Sequence, residues 1–238
     1  MKERFYRAKK NLAVVLGREP CVRDIFLCFL NHFFYNFDIA LFSLSPDISR
    51  IKVEGVEFFE RLLSKRRFIC FSAHVGVPEI AYFSVRHLKF LPGVFLERLH
   101  GVQGKLFNTV RKRIGLMPIY SVSSSIEFLK DESQERRVLT LISDRYPAGF
   151  RGSKEKVVLF GREAFLPTTP VRIAQLCGSG ISLLPFVCIR KFGRFGYNFS
   201  VRFFEPIEPD KELFVQQIEK IIMSAPHQWQ AFWNIFVG

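Results

Sequence analysis

The sequence is short of acidic residues and of paired cysteines. Its 22 Asp and Glu stand against 35 Lys and Arg, which leaves a formal net charge of +13 at pH 7. The five cysteines form no C-x-x-C motif, and none lies with a histidine at the spacing of a metal site. We therefore predict no structural metal, no cofactor and a reducing compartment.

An uninterrupted apolar segment of transmembrane length is also missing. The longest apolar stretch, residues 25–44, is broken by two asparagines, a histidine and Asp38. Charged groups at such positions are costly inside the hydrocarbon of a bilayer. The stretch also lacks the small-residue cleavage pattern of a signal peptide. Residues 1–50 instead predict a basic, amphipathic helical region that associates with a membrane.

A helix over this apolar stretch would carry a narrow polar stripe. Five side chains fall on one face at spacings of three and four: Asp24, Cys28, Asn31, Tyr35 and Asp38. Phe, Leu and Ile fill most of the remaining circumference. The pattern predicts a helix that either lies in the membrane interface or packs under the domain, and the sequence leaves both open.

The positive charge bears on the partners of the protein rather than on its fold. Nucleic acid, an anionic membrane surface and an acidic carrier protein would each attract such a chain. The basic residues are dispersed and no nucleic-acid-binding motif is present, so we predict no nucleic-acid partner. A basic membrane-binding scaffold without catalytic activity stays open as an alternative.

After residue 50, apolar runs alternate with amphipathic stretches. Predicted strands lie at 68–73, 93–96, 116–119, 138–143, 157–160, 181–189 and 197–204. Predicted helices lie at 56–63, 78–87, 104–113, 123–130, 168–177, 211–224 and 226–236. The alternation, with strands that are unbroken apolar runs, predicts an α/β domain over residues 51–238. Its central sheet is expected to be mostly parallel and flanked by helices.

In such a sheet, ligands gather at the carboxyl ends of the strands. His74 follows the strand at 68–73, Gly76 permits a tight turn, and Pro78 and Glu79 suit the first turn of a helix. We predict His74 as a general base and Glu79 as the carboxylate that holds one ring nitrogen and stabilises the imidazolium. A purely structural role for both residues is the alternative, because His-x4-Glu is a short pattern.

Charged residues at two other places are predicted to bind substrate. Asp144 and Arg145 follow a predicted strand, where Asp144 can orient a polar substrate group or buttress an arginine. Arg111 and Arg113 form a basic cluster that can bind phosphate through charge-assisted hydrogen bonds. The alternatives are a strand-end aspartate and a solvated helix end. The remaining histidines, His32 among them, are interpreted as structural.

In their order along the chain, these motifs resemble the lysophospholipid acyltransferase superfamily, and within it the late (lauroyl and myristoyl) acyltransferases of lipid A. His74 to Glu79 is similar to the family's His-x4-Asp/Glu motif, and Asp144 lies where this branch has an aspartate after a strand. Further segments are similar to the branch in the same order: Leu159-Phe160-Gly161, Thr168-Thr169-Pro170, Ile173-Ala174-Gln175-Leu176, Leu184-Pro185-Phe186-Val187 and Ala225-Pro226-His227-Gln228-Trp229.

This resemblance implies an acyltransferase with His74 and Glu79 as its catalytic pair. It implies acyl carrier protein or acyl-CoA as the donor, and a lipid acceptor such as a lipid A precursor. The expected location is the cytoplasmic face of the bacterial inner membrane, with peripheral or monotopic attachment to an anionic surface. Residues 231–236 lack the basic residues that commonly end this branch. Other acceptors therefore stay open: a lysophospholipid, a glycolipid or a polyene-type lipid.

Overall fold

The computed structural model describes residues 2–44, 47–95, 115–131, 135–146, 154–178, 180–193 and 196–237. The chain begins with two helices, α1 (Lys2–Leu16) and α2 (Val22–Leu44), which precede the first strand. The helix predicted at 104–113, with Arg111 and Arg113, lies outside the described residues.

The described residues form nine strands and five further helices. The strands are β1 (Ile51–Glu54), β2 (Arg67–Ser72), β3 (Leu91–Phe95), β4 (Met117–Ile119), β5 (Arg137–Ile142), β6 (Lys156–Leu159), β7 (Arg162–Phe165), β8 (Leu183–Gly193) and β9 (Gly196–Phe203). The helices are α3 (Val56–Leu63), α4 (Pro78–Val85), α5 (Val122–Lys130), α6 (Thr169–Cys177) and α7 (Lys211–Ser224).

Seven of these strands form the central sheet, in the order β1-β9-β8-β2-β5-β3-β4. From β8 to β4 all neighbouring strands are parallel, whereas β9 runs antiparallel to β8 and carries β1 at the edge. The mostly parallel sheet flanked by helices, predicted from the sequence, is confirmed. Strands β6 and β7 form a separate antiparallel hairpin, so the prediction that 157–160 alternates with helices in the main sheet is wrong.

Strand β2 shows why the central strands are apolar throughout. Ile69 and Phe71 point into one core cluster, which also holds residues of α1, α6 and α7. Phe68 and Cys70 point into a second cluster, which holds residues of α3 and α4. Because alternate residues of a strand face opposite sides of a sheet, helices on both sides require apolar residues at every position.

The segment after α7 is not the helix predicted at 226–236. A single 3₁₀ turn, Pro226–Gln228, is followed by irregular chain with isolated bridges at Trp229 and Phe236. The side-chain amide of Asn11 donates to the carbonyls of Ala231 and Trp233 at 2.9 and 2.8 Å, and the Gln230 N–H donates to the carbonyl of His74 at 2.9 Å. These backbone groups bond to other parts of the chain, so they are not available for helical hydrogen bonds.

The turn after β2 carries His74 and is held by backbone hydrogen bonds. The N–H of Gly76 donates to the carbonyl of Gln228 at 3.1 Å, and the N–H of Val77 donates to the carbonyl of Cys188 at 2.9 Å. Gly76 has a φ of +60°, and a Cβ atom at this position would overlap the carbonyl oxygen of Cys188. Both the backbone conformation and the close approach of β8 therefore require glycine here.

We predict that Gly76→Ala destabilises the protein more than Gly161→Ala does. Gly161 has a similar φ of +71°, but a Cβ atom there would meet no neighbouring atom. Gly161→Ala therefore measures the cost of the backbone conformation alone. That cost is about 1 kcal/mol, or roughly 2–4 °C in Tm for a chain of this size. The overlap at Gly76 adds about 1–3 kcal/mol. Thermal unfolding of the two variants measures the difference, and equal Tm values would show that β8 does not confine this turn.

Candidate active site

His74 and Asp144 meet because they follow adjacent parallel strands. In the register of β2 and β5, Ser72 lies opposite Ile142, and each of the two residues comes two positions later. The Nδ1 atom of His74 lies 2.5 Å from Oδ1 of Asp144. The sheet thus places an imidazole and a carboxylate in hydrogen-bond contact although they are 70 residues apart in the chain.

The Asp144 carboxylate is fully buried, and both of its oxygens are engaged. His74 contacts Oδ1, and the indole N–H of Trp229 donates to Oδ2 at 2.8 Å. Burial by itself raises the pKa of Asp144. The charge and hydrogen bond of His74, the hydrogen bond of Trp229 and the charge of Arg145 outweigh it, so the pKa lies below its ordinary value. Asp144 is therefore a carboxylate at neutral pH.

This contact determines which nitrogen of His74 is available for chemistry. A carboxylate can only accept at Nδ1, so we assign the proton of the neutral ring to Nδ1. The Nε2 atom then carries the lone pair. With its side chain 16% exposed at the cavity wall, His74 can accept a proton from a bound molecule while Asp144 stabilises the resulting imidazolium.

Glu79 has a different partner from the one expected from the sequence. Its Oε1 accepts a hydrogen bond from the hydroxyl of Tyr35 at 2.7 Å, whereas the carboxylate on the His74 ring is Asp144. The physical reason is the placement of Glu79 in the first turn of α4, against α2, while Asp144 emerges beside His74 from the neighbouring strand. In place of the expected hydrogen bond to Glu79, the His74 ring donates one to Asp144.

A cavity of about 590 Å³ joins these groups. His74, Glu79 and Arg145 line it, so three of the residues predicted from the sequence share one space, with Asp144 directly behind His74. Much of the remaining wall is apolar and includes Phe59, Tyr82, Phe90, Val94, Phe186 and Phe203. The cavity therefore combines a proton acceptor with a chamber that suits a hydrocarbon chain.

Several residues at this site were not identified from the sequence. The sequence predicts Tyr35 in the polar stripe of α2, but helical periodicity does not indicate that it reaches Glu79. Trp229 belongs to a C-terminal motif whose pattern predicts no role for it. His32, interpreted as structural, lines the cavity together with Gln230. Local sequence patterns carry no signal for these contacts, because Tyr35 and Glu79 are 44 residues apart and Trp229 and Asp144 are 85 residues apart.

In the part of the chain that the structure describes, no group of three or more His, Cys, Asp or Glu side chains is arranged to hold a metal ion. At this cavity, His74 offers proton transfer next to apolar and polar side chains.

No curated protein matches the chain. The model of a family described as bacterial lipid A biosynthesis acyltransferase matches residues 1–236, which is nearly the whole sequence. Because this match covers nearly the whole sequence, the chain belongs to this family of acyltransferases.

Proposed function

We propose that the protein transfers a fatty acyl group from a thioester to a hydroxyl of a lipid acceptor such as a lipid A precursor. The observation that carries the proposal is the hydrogen-bonded pair of His74 and Asp144 on the wall of an apolar cavity. The donor is acyl carrier protein or acyl-CoA. Both are acidic, which complements the net charge of +13.

In the proposed reaction, Nε2 of His74 takes the proton of the acceptor hydroxyl as its oxygen attacks the thioester carbon. The C–O bond forms, and the carbonyl oxygen carries the negative charge of a tetrahedral intermediate. The C–S bond then breaks, and the imidazolium returns the proton to the leaving thiolate. Asp144 keeps the ring in the required tautomer and stabilises its positive charge. The products are an ester and a free thiol, so no covalent acyl-enzyme is needed.

The aromatic and aliphatic wall of the cavity would hold the acyl chain. Transferring each methylene from water into such a wall is worth about 0.8 kcal/mol. Phe59, Phe186 and Phe203 belong to the buried core on one side of the sheet, so this wall is rigid rather than part of a loop. A rigid chamber favours chains of a limited length, because a longer chain would need the core to move.

The two faces of α2 support attachment to a membrane surface. The polar stripe predicted from the sequence faces the protein, and each of its five side chains contacts another part of the chain. Asp24 contacts His227, and Cys28 donates to the carbonyl of Trp229. Asn31 and Asp38 accept from Arg190, and Tyr35 donates to Glu79. The opposite face carries exposed apolar side chains, including Phe26, Phe33 and Phe37, which are 61%, 70% and 48% exposed.

Residues Val22–Phe42 are long and apolar enough to cross a membrane by length and composition. The polar stripe argues for the other geometry, in which the helix lies along the bilayer. Asp38 and Arg190 form an ion pair in which both side chains are almost fully buried, so the helix is fixed to the sheet by its charged side. A helix with one bonded polar face and one exposed apolar face matches an interfacial element. We propose the cytoplasmic face of the inner membrane as its location, and residues 1–50 as the membrane-associating region.

The catalytic prediction concerns the choice of carboxylate. His74→Ala and Asp144→Asn should each lower kcat by about 10²–10⁴-fold, since the first removes the base and the second removes the charge that stabilises it. Glu79→Gln should have a smaller effect, because it leaves the His74–Asp144 pair intact. The measurement is transfer of a labelled acyl chain from acyl carrier protein to a panel of lipid acceptors, read by mass spectrometry.

The matched control is the other histidine–aspartate contact among the described residues, between His227 and Asp24. His227→Ala removes the same kind of hydrogen bond outside the cavity and should leave kcat within a few-fold of the wild type. Near wild-type turnover by Asp144→Asn, with severe loss in Glu79→Gln, would reverse the assignment. Wild-type turnover by His74→Ala would rule out the mechanism.

The membrane prediction concerns the exposed face of α2. Replacing Phe26, Phe33 and Phe37 by Ser should weaken binding to vesicles that contain phosphatidylglycerol. Each partly exposed ring is worth roughly 1 kcal/mol on insertion, so together the loss is on the order of 100-fold in partitioning. Cosedimentation at high salt isolates this apolar contribution, because salt screens the attraction of the basic residues.

The control for this experiment removes a similar number of exposed apolar side chains elsewhere. Val158, Leu176 and Met223 are 63%, 49% and 50% exposed and lie outside α1 and α2. Their replacement by Ser should leave vesicle binding within twofold of the wild type. If the two triple variants lose binding equally, α2 is not the contact surface.

A further inference from the structure

One wall of the cavity is made of nitrogen donors that lack partners. Among the described residues, Nε of Arg145, Nε2 of Gln230, Nε1 of Trp233 and Nδ1 of His32 are buried without a hydrogen bond, and all four side chains line the cavity. The first three can only donate. Buried donors are nearly always paired in proteins, so a group of them in one cavity indicates a ligand that supplies acceptors.

The four side chains form one cluster. The guanidinium of Arg145 lies 4.0 Å from the ring centroid of Trp233. The backbone N–H of Gln230 donates to the carbonyl of His74, and the side chains of both residues line the cavity. Burial lowers the pKa of His32, and so do the charges of Arg4, His74 and Arg145, which places His32 within the field of the same cations.

The charge of this wall is positive. Arg4 and Arg145 line the cavity, and neither forms an ion pair with any described residue. The acidic side chain of the cavity is Glu79, whose Oε1 accepts from Tyr35 and whose Oε2 is buried without a hydrogen bond among the described residues. Three buried donors, with two cations that form no ion pair among the described residues, are complementary to an oxyanion with several acceptor oxygens.

We propose that Arg4, Arg145, Gln230 and Trp233 form a binding site for a phosphate ester beside His74. The site deepens the proposed function, because it selects substrates that carry a phosphate close to the reacting groups. The exposure of the wall differs from residue to residue: Gln230 is 6% exposed, whereas Arg4 is exposed and open to solvent. A phosphate would give each orphaned donor an acceptor and neutralise the cations.

Two substrates can supply this chemistry, the headgroup of the acceptor lipid and the pantetheine arm of the donor. Proximity to His74 favours the acceptor. The phosphate of a pantetheine arm is separated from its thioester by the whole length of the arm, whereas a headgroup phosphate can be a few bonds from the hydroxyl that His74 deprotonates. An acceptor phosphate held here would orient that hydroxyl toward Nε2.

The test measures binding rather than turnover, so that it stands apart from the proposed reaction. Full-length His74→Ala protein in uncharged detergent is titrated by calorimetry with inorganic phosphate, glycerol 3-phosphate and phosphopantetheine, with glycerol as the neutral control. We expect saturable binding of the phosphates and none of glycerol. Tighter binding of glycerol 3-phosphate assigns the site to the acceptor, and tighter binding of phosphopantetheine assigns the same site to the donor.

Variants locate the site. Arg145→Met and Gln230→Leu should each weaken phosphate binding about tenfold, since each removes a donor from the wall. Trp233→Phe should weaken it several-fold, because it keeps the ring beneath Arg145 and removes only the N–H. Gln217→Leu is the matched control: Gln217 also has a buried side-chain atom without a partner among the described residues, but it lies on α7, outside the cavity. It should bind phosphate within twofold of the parent.

Absence of saturable phosphate binding would overturn the proposal, and so would equal binding by the Gln230→Leu and Gln217→Leu proteins. Phosphate binding by a wild-type protein that transfers no acyl group would support the site and contradict the reaction. If the rate of acyl transfer is the same with and without a phosphate on the acceptor and on the donor, the reaction is supported and the phosphate site is contradicted. The two proposals can therefore fail separately.

Discussion

A fully buried carboxylate requires donors, and the position of Asp144 at the end of β5 imposes this requirement on the whole site. Taking a carboxylate out of water is costly unless hydrogen bonds and an opposite charge compensate for it. The compensation comes from two distant parts of the chain, His74 after β2 and Trp229 after α7. Burying Asp144 therefore draws two neighbouring strands and the C-terminal segment together at one point.

The C-terminal segment is in turn fixed by the N-terminal helices. The Cys28 thiol donates to the carbonyl of Trp229 at 3.2 Å, and the Asn11 amide donates to the carbonyls on either side of Phe232. Trp229 also pairs with Val75, next to the base. The helices that we propose for membrane attachment thus hold the tryptophan that orients Asp144. These contacts connect the proposed membrane-associating helices to the His74–Asp144 pair.

Sequence reasoning located the site better than it identified its contacts. Apolar runs ending in His74 and Asp144 were enough to place both at the carboxyl edge of a parallel sheet. The partner of His74 was missed because spacing along the chain favours Glu79, whereas sheet order decides which strand end lies beside it. The order β8-β2-β5 is set by packing over the whole domain, and local patterns do not contain it.

The difference between local patterns and long-range contacts also explains what the sequence predicts at the two ends of the chain. The polar stripe of α2 follows from helical periodicity, so it was found, but the residues that it contacts are up to 203 positions away. At 226–236 the apolar spacing resembles a helix, yet beyond the 3₁₀ turn the segment is irregular, because its backbone groups bond to Asn11, His74 and β7. Tertiary hydrogen bonds override a local preference that is worth only fractions of a kcal/mol per residue.

Hydrogen-bond acceptors, hydrogen-bond donors and apolar groups lie on different parts of the cavity wall. Glu79 presents acceptor oxygens on one side, Arg145 and Gln230 present donors on another, and aromatic rings close the rest. Tyr35 joins the Glu79 side to α2, the helix whose outer face carries Phe33 and Phe37. If that face lies in the bilayer interface, the polar headgroup of a lipid reaches the cavity at the depth of Tyr35, with its hydroxyls near Glu79 and its anionic groups near the donors. In the reaction that we propose, the acyl chain would then occupy the aromatic chamber, and the order of polarity around His74 would decide which end of each substrate meets the proposed base.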